Sequence, residues 1–126
     1  MEVEKHLEKA QHCLDAIDNL DSIQDTEAII NRCYYCIFHS IPALLLSQNI
    51  RPKTHSGLLN KFAETFIKTK LWDTQFMKMA SDAFDSKQNA DYEIYFEITL
   101  NEVRTTIDAA KLFLKTTQDF IISETH

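Results

Sequence analysis

Glycine and proline are scarce in this sequence, which holds one glycine and two prolines among 126 residues. A Rossmann fingerprint needs three glycines and a P-loop needs two, so neither nucleotide-binding turn is present. β-Sandwiches and β-barrels need many tight turns with positive φ, a conformation that glycine adopts most easily. The scarcity therefore excludes these nucleotide sites and favours an all-α protein, for which we expect no cofactor.

Basic residues are also in the minority, because 13 lysines and arginines stand against 19 acidic residues, for a net charge of −6. A dedicated DNA-binding domain is normally basic, so this balance argues against broad affinity for nucleic acid. The charge is unevenly distributed, however. Residues 51–72 contain five basic side chains and one acidic side chain, which is compatible with a local basic surface.

Cysteine and long apolar stretches are limited too. The three cysteines are an odd number, and the charged segment Met1–Lys5 lacks the apolar character of a signal peptide. The longest apolar run, Cys33–Leu46, contains His39 and Ser40 and is short for a membrane span. We therefore expect a reduced, cytoplasmic protein without a membrane segment.

Apolar residues recur every three or four positions along most of the chain, which predicts amphipathic helices. The predicted helices are Val3–Asn19, Thr26–Gln48 after the N-cap Asp25, Gly57–Lys68 after the N-cap Ser56, Thr74–Lys87, and a last helix after Thr99. Thr99 and Glu102 form a capping box for the last helix. We interpret residues 89–98 as an irregular segment or a frayed helix end. We thus expect residues 1–126 to form one domain, an up-and-down bundle of four or five helices.

The predicted second helix has two apolar faces. Its core face holds Ile30, Tyr34, Ile37, Ile41 and Leu44, and its other face holds Ala28, Arg32, Tyr35, Cys36, His39, Ala43 and Leu46. A surface helix would be polar on that second face, so something must cover it. A partner subunit at a two-fold interface is one possible cover, because two-fold dimers are the commonest symmetric assemblies. The chain's own helices are the alternative.

Arg32 and His39 lie seven residues apart on this second face, so a helix places them on one stripe about 10 Å apart. Such side chains on an apolar face cost desolvation unless they are paired. One interpretation is structural, with Arg32 paired to an acid and His39 to a carbonyl. In the functional interpretation, a nearby two-fold axis brings two of each residue to a phosphodiester. Histidine moves protons near neutral pH, and arginine binds phosphate oxygens.

The segment from residue 31 to residue 39, NRCYYCIFH, resembles the motif helix of the HEPN family of small helical proteins. The hallmark of that family is an arginine followed, a few residues later, by a histidine, and six residues separate Arg32 from His39 here. The resemblance extends from about Asp25 to Phe120 and includes four further segments, Ala43–Leu46, Pro52–Gly57, Ala83–Asp85 and Ala90–Tyr92.

This resemblance implies a helical bundle that dimerises through the second helix. Many HEPN proteins are metal-independent endoribonucleases that use the RNA 2′-hydroxyl as nucleophile, and Arg32 and His39 match their catalytic pair. Many small members are toxins paired with a minimal nucleotidyltransferase (MNT) antitoxin. The resemblance therefore implies a homodimer, an RNA substrate and an MNT-type partner. The alternative is a non-catalytic HEPN module that dimerises and binds a nucleotide or a nucleotidyltransferase.

A basic loop before the third helix is the candidate RNA-binding surface. The free amides of a helix N-terminus can hold a phosphate, and nearby basic side chains add salt-dependent affinity. The alternative is that this loop is exposed to solvent, caps the helix and binds no phosphate. The candidate substrate-binding residues are Asn31, Arg51, Lys53, His55, Ser56 and Lys61.

Cys33 and Cys36 have the spacing of a redox or zinc pair. A redox pair of that kind begins a helix after a strand, whereas these two lie in the middle of a predicted helix. Zinc needs four ligands, and the sequence has no second cysteine pair. We therefore expect buried structural thiols and no metal site.

Overall fold

The computed structural model describes residues 2–125, except for the side chains of His55 and Thr125. It contains five α-helices and a short π-helical turn, and no β-strand occurs among those residues. The predicted all-α bundle is thereby confirmed. The helices are α1 (Glu2–Ile17), α2 (Thr26–Ser47), α3 (His55–Phe62), α4 (Gln75–Tyr92) and α5 (Leu100–Thr125).

Helix α2 forms the centre of the bundle. It packs against α1, α4 and α5, most extensively against α1. Twelve of its 22 residues are buried, including all five residues of the predicted core face. The chain's own helices therefore cover most of α2, and only part of its second face is left for a partner.

The turn before α2 differs from the predicted cap. Asp25 precedes the helix, but its side chain makes no capping hydrogen bond. Instead, Asp25 Oδ2 accepts from the amide of Asp21 at 2.7 Å. Asp21 in turn accepts from the amides of Gln24 and Ile23, and these bonds lower the pKa of its carboxyl group. The difference arises because a turn carboxylate binds whichever free amides the local backbone brings within reach.

Helix α3 begins earlier than predicted, because Thr54 and not Ser56 is its N-cap. Thr54 Oγ1 accepts from the amide of Gly57 at 2.9 Å, whereas Ser56 lies inside the first turn. A Cβ atom on Gly57 would lie 2.9 Å from that same oxygen, so the one glycine of the chain keeps this cap free of crowding. The helix continues as the π-helical turn Ala63–Ile67.

Helix α4 extends beyond the predicted Lys87 and ends at Tyr92. Lys87 and Asp91 form an ion pair one turn apart within this extension, a spacing that stabilises helices. Residues 93–99 then have no helical structure. The predicted irregular segment is therefore confirmed only for its second part.

Aromatic side chains join α3, α4 and α5 in the core. The ring of Phe113 lies with its centre 5.6 Å from that of Phe62, 5.8 Å from Trp72 and 5.9 Å from Phe76. All four side chains are buried. Tilted and edge-on ring pairs of this kind add stability beyond the burial of apolar area. Phe113 is therefore the ring through which these three helices meet.

The capping box predicted at the start of α5 is confirmed. The amide of Glu102 donates to Thr99 Oγ1 at 3.1 Å, and Glu102 Oε1 accepts from the amide of Thr99 at 3.4 Å. Each side chain thus satisfies an amide that the first turn of the helix leaves without a partner.

We expect Thr99→Ala to lower the free energy of unfolding by about 1 kcal/mol, the usual contribution of a threonine cap. Urea denaturation followed by far-ultraviolet circular dichroism measures this difference. Thr105→Ala, in an exposed position of the same helix, is the matched control and should cause no comparable loss. Equal losses in the two variants would contradict the capping role.

Candidate functional site

Between Ala28 and Leu46, the solvent-accessible side chains of α2 form one stripe along the helix. We call this set the α2 stripe, and it consists of Ala28, Asn31, Arg32, Tyr35, His39, Pro42 and Leu46. Arg32 and Tyr35 are exposed and His39 is half-buried. The stripe contains both predicted catalytic residues, and its helical spacing places them on the same side of the bundle.

Two of the predicted interface residues need correction. Cys36 and Ala43 are completely buried within the chain, so they offer no surface to a second subunit. Cys36 Sγ lies 3.7 Å from the carbonyl oxygen of Ala110 in α5, which identifies the helix that covers it. Periodicity alone could not separate these two positions from the stripe, because they lie at its border and are apolar.

All three cysteines are free and buried. Burial raises the pKa of Cys33 to about 12, and burial is also the main cause of the raised pKa of Cys36. A thiol with so high a pKa is neither nucleophilic nor a ready metal ligand. The predicted structural role of the Cys33 and Cys36 pair agrees with these positions.

A groove of about 360 Å³ lies between α2 and α4 at the α2 stripe. It is lined by Ala28, Asn31, Arg32, Tyr35, Lys87 and Asp91. A larger groove, of about 430 Å³, lies between α4 and α5 and includes neither Arg32 nor His39. The smaller groove is therefore the cavity that the motif arginine can serve.

Lys87 brings a second positive charge to this groove, although it is not among the site residues predicted from the sequence. Its Nζ atom lies 5.4 Å from the centre of the Tyr34 ring and 6.0 Å from that of Tyr35. A hydrogen bond to Asp91 raises the pKa of the ammonium group. The rings and the carboxylate hold this cation next to Arg32. Only the packing of α4 on α2 brings these groups together.

Arg32 also lies close to α1. Burial raises the pKa of Cys13 in α1, and the guanidinium group of Arg32 is near enough to oppose that rise. Among residues 2–125, no ion pair joins Arg32 to an acidic side chain. Within that part of the chain, the structural pairing of Arg32 with an acid is therefore not formed.

His39 has a partner in α1 that its position in the sequence does not suggest. Its Nδ1 atom lies 3.2 Å from Nδ1 of His6, and both rings are partly buried. Burial lowers the pKa of His39, and the positive charges of His6 and Lys9 lower it further. Burial also lowers the pKa of His6, with Lys9 as the second cause. Both rings are therefore held in the neutral form near pH 7.

We expect the free energy of unfolding to fall as the pH drops below about 6.5, the ordinary pKa of both histidines. Because folding lowers both pKa values, the unfolded chain binds more protons in this range and is stabilised relative to the fold. The lowered carboxyl pKa values of Glu2 and Asp21 act only at more acidic pH. Urea denaturation between about pH 7.5 and pH 5 measures the effect. A stability that stays constant over that interval would contradict the lowered pKa values.

The predicted basic loop is less available than its composition suggests. Arg51 pairs with Glu2 at 3.0 Å, and Lys61 pairs with Glu64 at 3.3 Å. Lys53 and Ser56 are exposed, and the side chain of His55 lies outside the described residues. Of the six predicted substrate-binding residues, Asn31 lines the groove beside Arg32. Arg51 reaches Glu2, one turn of α1 before the histidine that contacts His39.

By length and composition, α2 could cross a membrane, and it is the one such helix among the described residues. The apolar run Cys33–Leu46, on which the prediction of no membrane segment was based, is shorter than α2. The whole helix has 22 residues. In the bundle, 67% of its most apolar stretch is buried inside the structure, the environment of a core helix.

Within residues 2–125, no group of three or more His, Cys, Asp and Glu residues is placed to hold a metal ion.

The chain is similar in sequence to a known protein family and to several known proteins. The HEPN domain family matches residues 3–120 of the chain. A protein of Methanocaldococcus jannaschii named "Putative toxin MJ0142" is 37% identical over 123 residues, which cover 98% of this chain and 84% of that protein. A "UPF0332 protein" of Thermotoga maritima is 30% identical over 113 residues, covering 90% and 86%. A second M. jannaschii protein, "Putative toxin MJ0605", is 28% identical over 113 residues, covering 90% and 84%.

Proposed function

This chain belongs to the HEPN family, and we propose that it is a metal-independent endoribonuclease that acts as the toxin of a toxin–antitoxin pair. The observation that carries the proposal is the α2 stripe. Between Ala28 and Leu46 it is the accessible part of a helix that is otherwise buried, and it presents an arginine and a histidine on the same side. In the described part of the chain, that arginine has no acidic partner and is thus available to a phosphate.

The active form in this proposal is a homodimer in which two α2 stripes face each other across a two-fold axis. Tyr35, with 43% of its surface exposed, and the apolar Ala28 and Leu46 supply the contact surface. An interface of this type is self-complementary, so each contact occurs twice. Arg32 and His39 of both subunits then line one cleft that is open to RNA.

The reaction begins with the 2′-hydroxyl of the ribose next to the scissile phosphate. Its oxygen forms a bond to phosphorus while its proton passes to Nε2 of His39. The bond between phosphorus and the 5′-oxygen breaks, and that oxygen takes a proton from water. The hydroxide that remains is neutralised by the proton that His39 releases, which restores the neutral base. The products are a 2′,3′-cyclic phosphate and a 5′-hydroxyl. Arg32 stabilises the negative charge that builds on the phosphate oxygens in the transition state.

The partner in this proposal is an MNT-type nucleotidyltransferase antitoxin, and both proteins act in the cytoplasm. Support comes from the two archaeal relatives whose names describe them as toxins, one of which matches 98% of this chain. A family match over residues 3–120 also agrees with a single domain that spans residues 1–126.

RNA cleavage in excess EDTA tests the proposal. Transfer, messenger and ribosomal RNA are incubated with the wild type and with Arg32→Ala, after both proteins are shown to be folded and dimeric. We expect cleavage by the wild type alone, with cyclic phosphate ends. Absence of cleavage by a folded wild-type dimer on all three RNAs would overturn the proposal. The non-catalytic HEPN module would then be favoured, and calorimetry with ATP and GMP would test it.

A further inference from the structure

A hydrogen bond between two histidine rings links α1 to the predicted catalytic residue. The centres of the His6 and His39 rings lie 5.4 Å apart, their planes are inclined by 34°, and their Nδ1 atoms are 3.2 Å apart. Distance and orientation fit a hydrogen bond from one Nδ1 to the other. His6 is 33 residues away in sequence, and the packing of α1 against α2 brings it to this position.

The chemistry of neutral imidazole limits what this pair can do. Each neutral ring carries one N–H group, so one Nδ1 donates and the other accepts. If His39 donates, its Nε2 has a free lone pair and can act as a base. If His39 accepts, its proton lies on Nε2, and it can take up a further proton only by breaking the bond to His6. The two arrangements therefore give His39 different chemical roles.

We propose that His6 is a positioning residue that accepts a hydrogen bond from Nδ1–H of His39 and so leaves Nε2 of His39 free as the base. The assignment rests on the proposed ribonuclease function. In this arrangement the bond survives proton uptake at Nε2, because the His39 cation still donates from Nδ1 to the neutral His6. A base oriented by a third group in this way is the general arrangement of activated nucleophile systems.

The charged groups around the pair favour neutral rings. Burial is the main cause that lowers the pKa of both histidines, and Lys9 in α1 lowers both further, while the negative charge of Glu2 acts on His6 in the opposite direction. Glu2 is itself paired with Arg51, which reduces its influence. A neutral acceptor stabilises the His39 cation less than a carboxylate would. His39 therefore stays unprotonated, and ready to act as a base, at a lower pH than an ordinary histidine.

Nuclear magnetic resonance of ring ¹⁵N nuclei tests this assignment without RNA. The spectra report which nitrogen of His39 carries the proton and at what pH the ring titrates. We compare the wild type with His6→Ala, with His6→Asn, whose amide oxygen can still accept from Nδ1–H, and with His12→Ala. His12 is an exposed histidine of the same helix and serves as the matched control.

The expected result is a proton on Nδ1 of His39 in the wild type, in His6→Asn and in His12→Ala. His6→Ala should give a mixture of the two tautomers and a higher titration midpoint, because it exposes the His39 ring to water and burial is the main cause of that ring's lowered pKa. In the RNA assay, His6→Ala should lower kcat about tenfold, part of what a general base contributes. It should also move the acidic limb of the pH profile upward, while His6→Asn retains most of the rate.

Two results would overturn the positioning role. One is a wild-type His39 with its proton on Nε2. The other is a folded His6→Ala variant in which the tautomer, the titration midpoint and the pH profile of cleavage are all unchanged. Absence of cleavage by the wild type, together with the expected tautomers, would instead refute the ribonuclease function and leave the His6–His39 hydrogen bond as assigned.

Discussion

Replacing His39 with alanine is expected to lower kcat for RNA cleavage by about 100- to 10,000-fold, the range that a general base contributes. The side chain is half-buried on the surface of α2, so its removal should leave the fold intact. The measurement is the initial rate of cleavage of a defined RNA in EDTA, at saturating substrate. Circular dichroism and sedimentation of the same sample establish that the variant is folded and has the oligomeric state of the wild type.

His12→Ala is the matched control for this prediction, because it removes an exposed histidine that is remote in sequence from the α2 stripe. It should cut RNA at the wild-type rate. A His39→Ala variant that also cuts at the wild-type rate would exclude His39 as the base. The ribonuclease activity, if present, would then have to come from other groups.

Phe113→Ala is expected to lower the free energy of unfolding by about 3–5 kcal/mol, the usual cost of removing a large aromatic side chain from a core. Phe113 is completely buried, and its ring contacts those of Phe62, Trp72 and Phe76. Removal of the ring would leave a cavity at the place where α3, α4 and α5 pack against one another. The expected loss is a large share of the roughly 5–15 kcal/mol by which a typical domain is stabilised.

Urea denaturation measures this loss, and Leu112→Ala supplies the comparison. Leu112 is the preceding residue of α5 and has 44% of its surface exposed, so its truncation should cost well under the loss at Phe113. Similar losses at the two positions would mean that the aromatic cluster is not the centre of the core. A loss below about 1 kcal/mol at Phe113 would contradict the prediction directly.

The helix ends show where local sequence reasoning reaches its limit. Thr99 and Glu102 were predicted as a capping box and form one, because both partners lie within one turn. Ser56 and Thr54 are both good cap residues, and only the backbone conformation of the loop decides that Thr54 accepts from Gly57. Composition therefore predicts that a helix starts in this region, and the local backbone decides at which residue.

Helical spacing in the sequence is enough to predict the all-α architecture and the buried side of α2. Helical periodicity sorts apolar residues onto one face, and Ile30, Ile37 and Leu44 are accordingly in the core. It also placed Arg32 and His39 on one stripe, because seven residues make almost two helical turns. These conclusions depend only on spacing within one helix.

The residues that surround the α2 stripe, by contrast, follow from how the helices pack. This packing buried Cys36 under α5, although the sequence pattern placed this residue on the same face as Arg32. It also brought His6 to His39 and Lys87 to Arg32, residues from helices that are distant in the chain. Periodicity describes one helix at a time, so it cannot reveal which neighbour covers a face or which side chain that neighbour contributes.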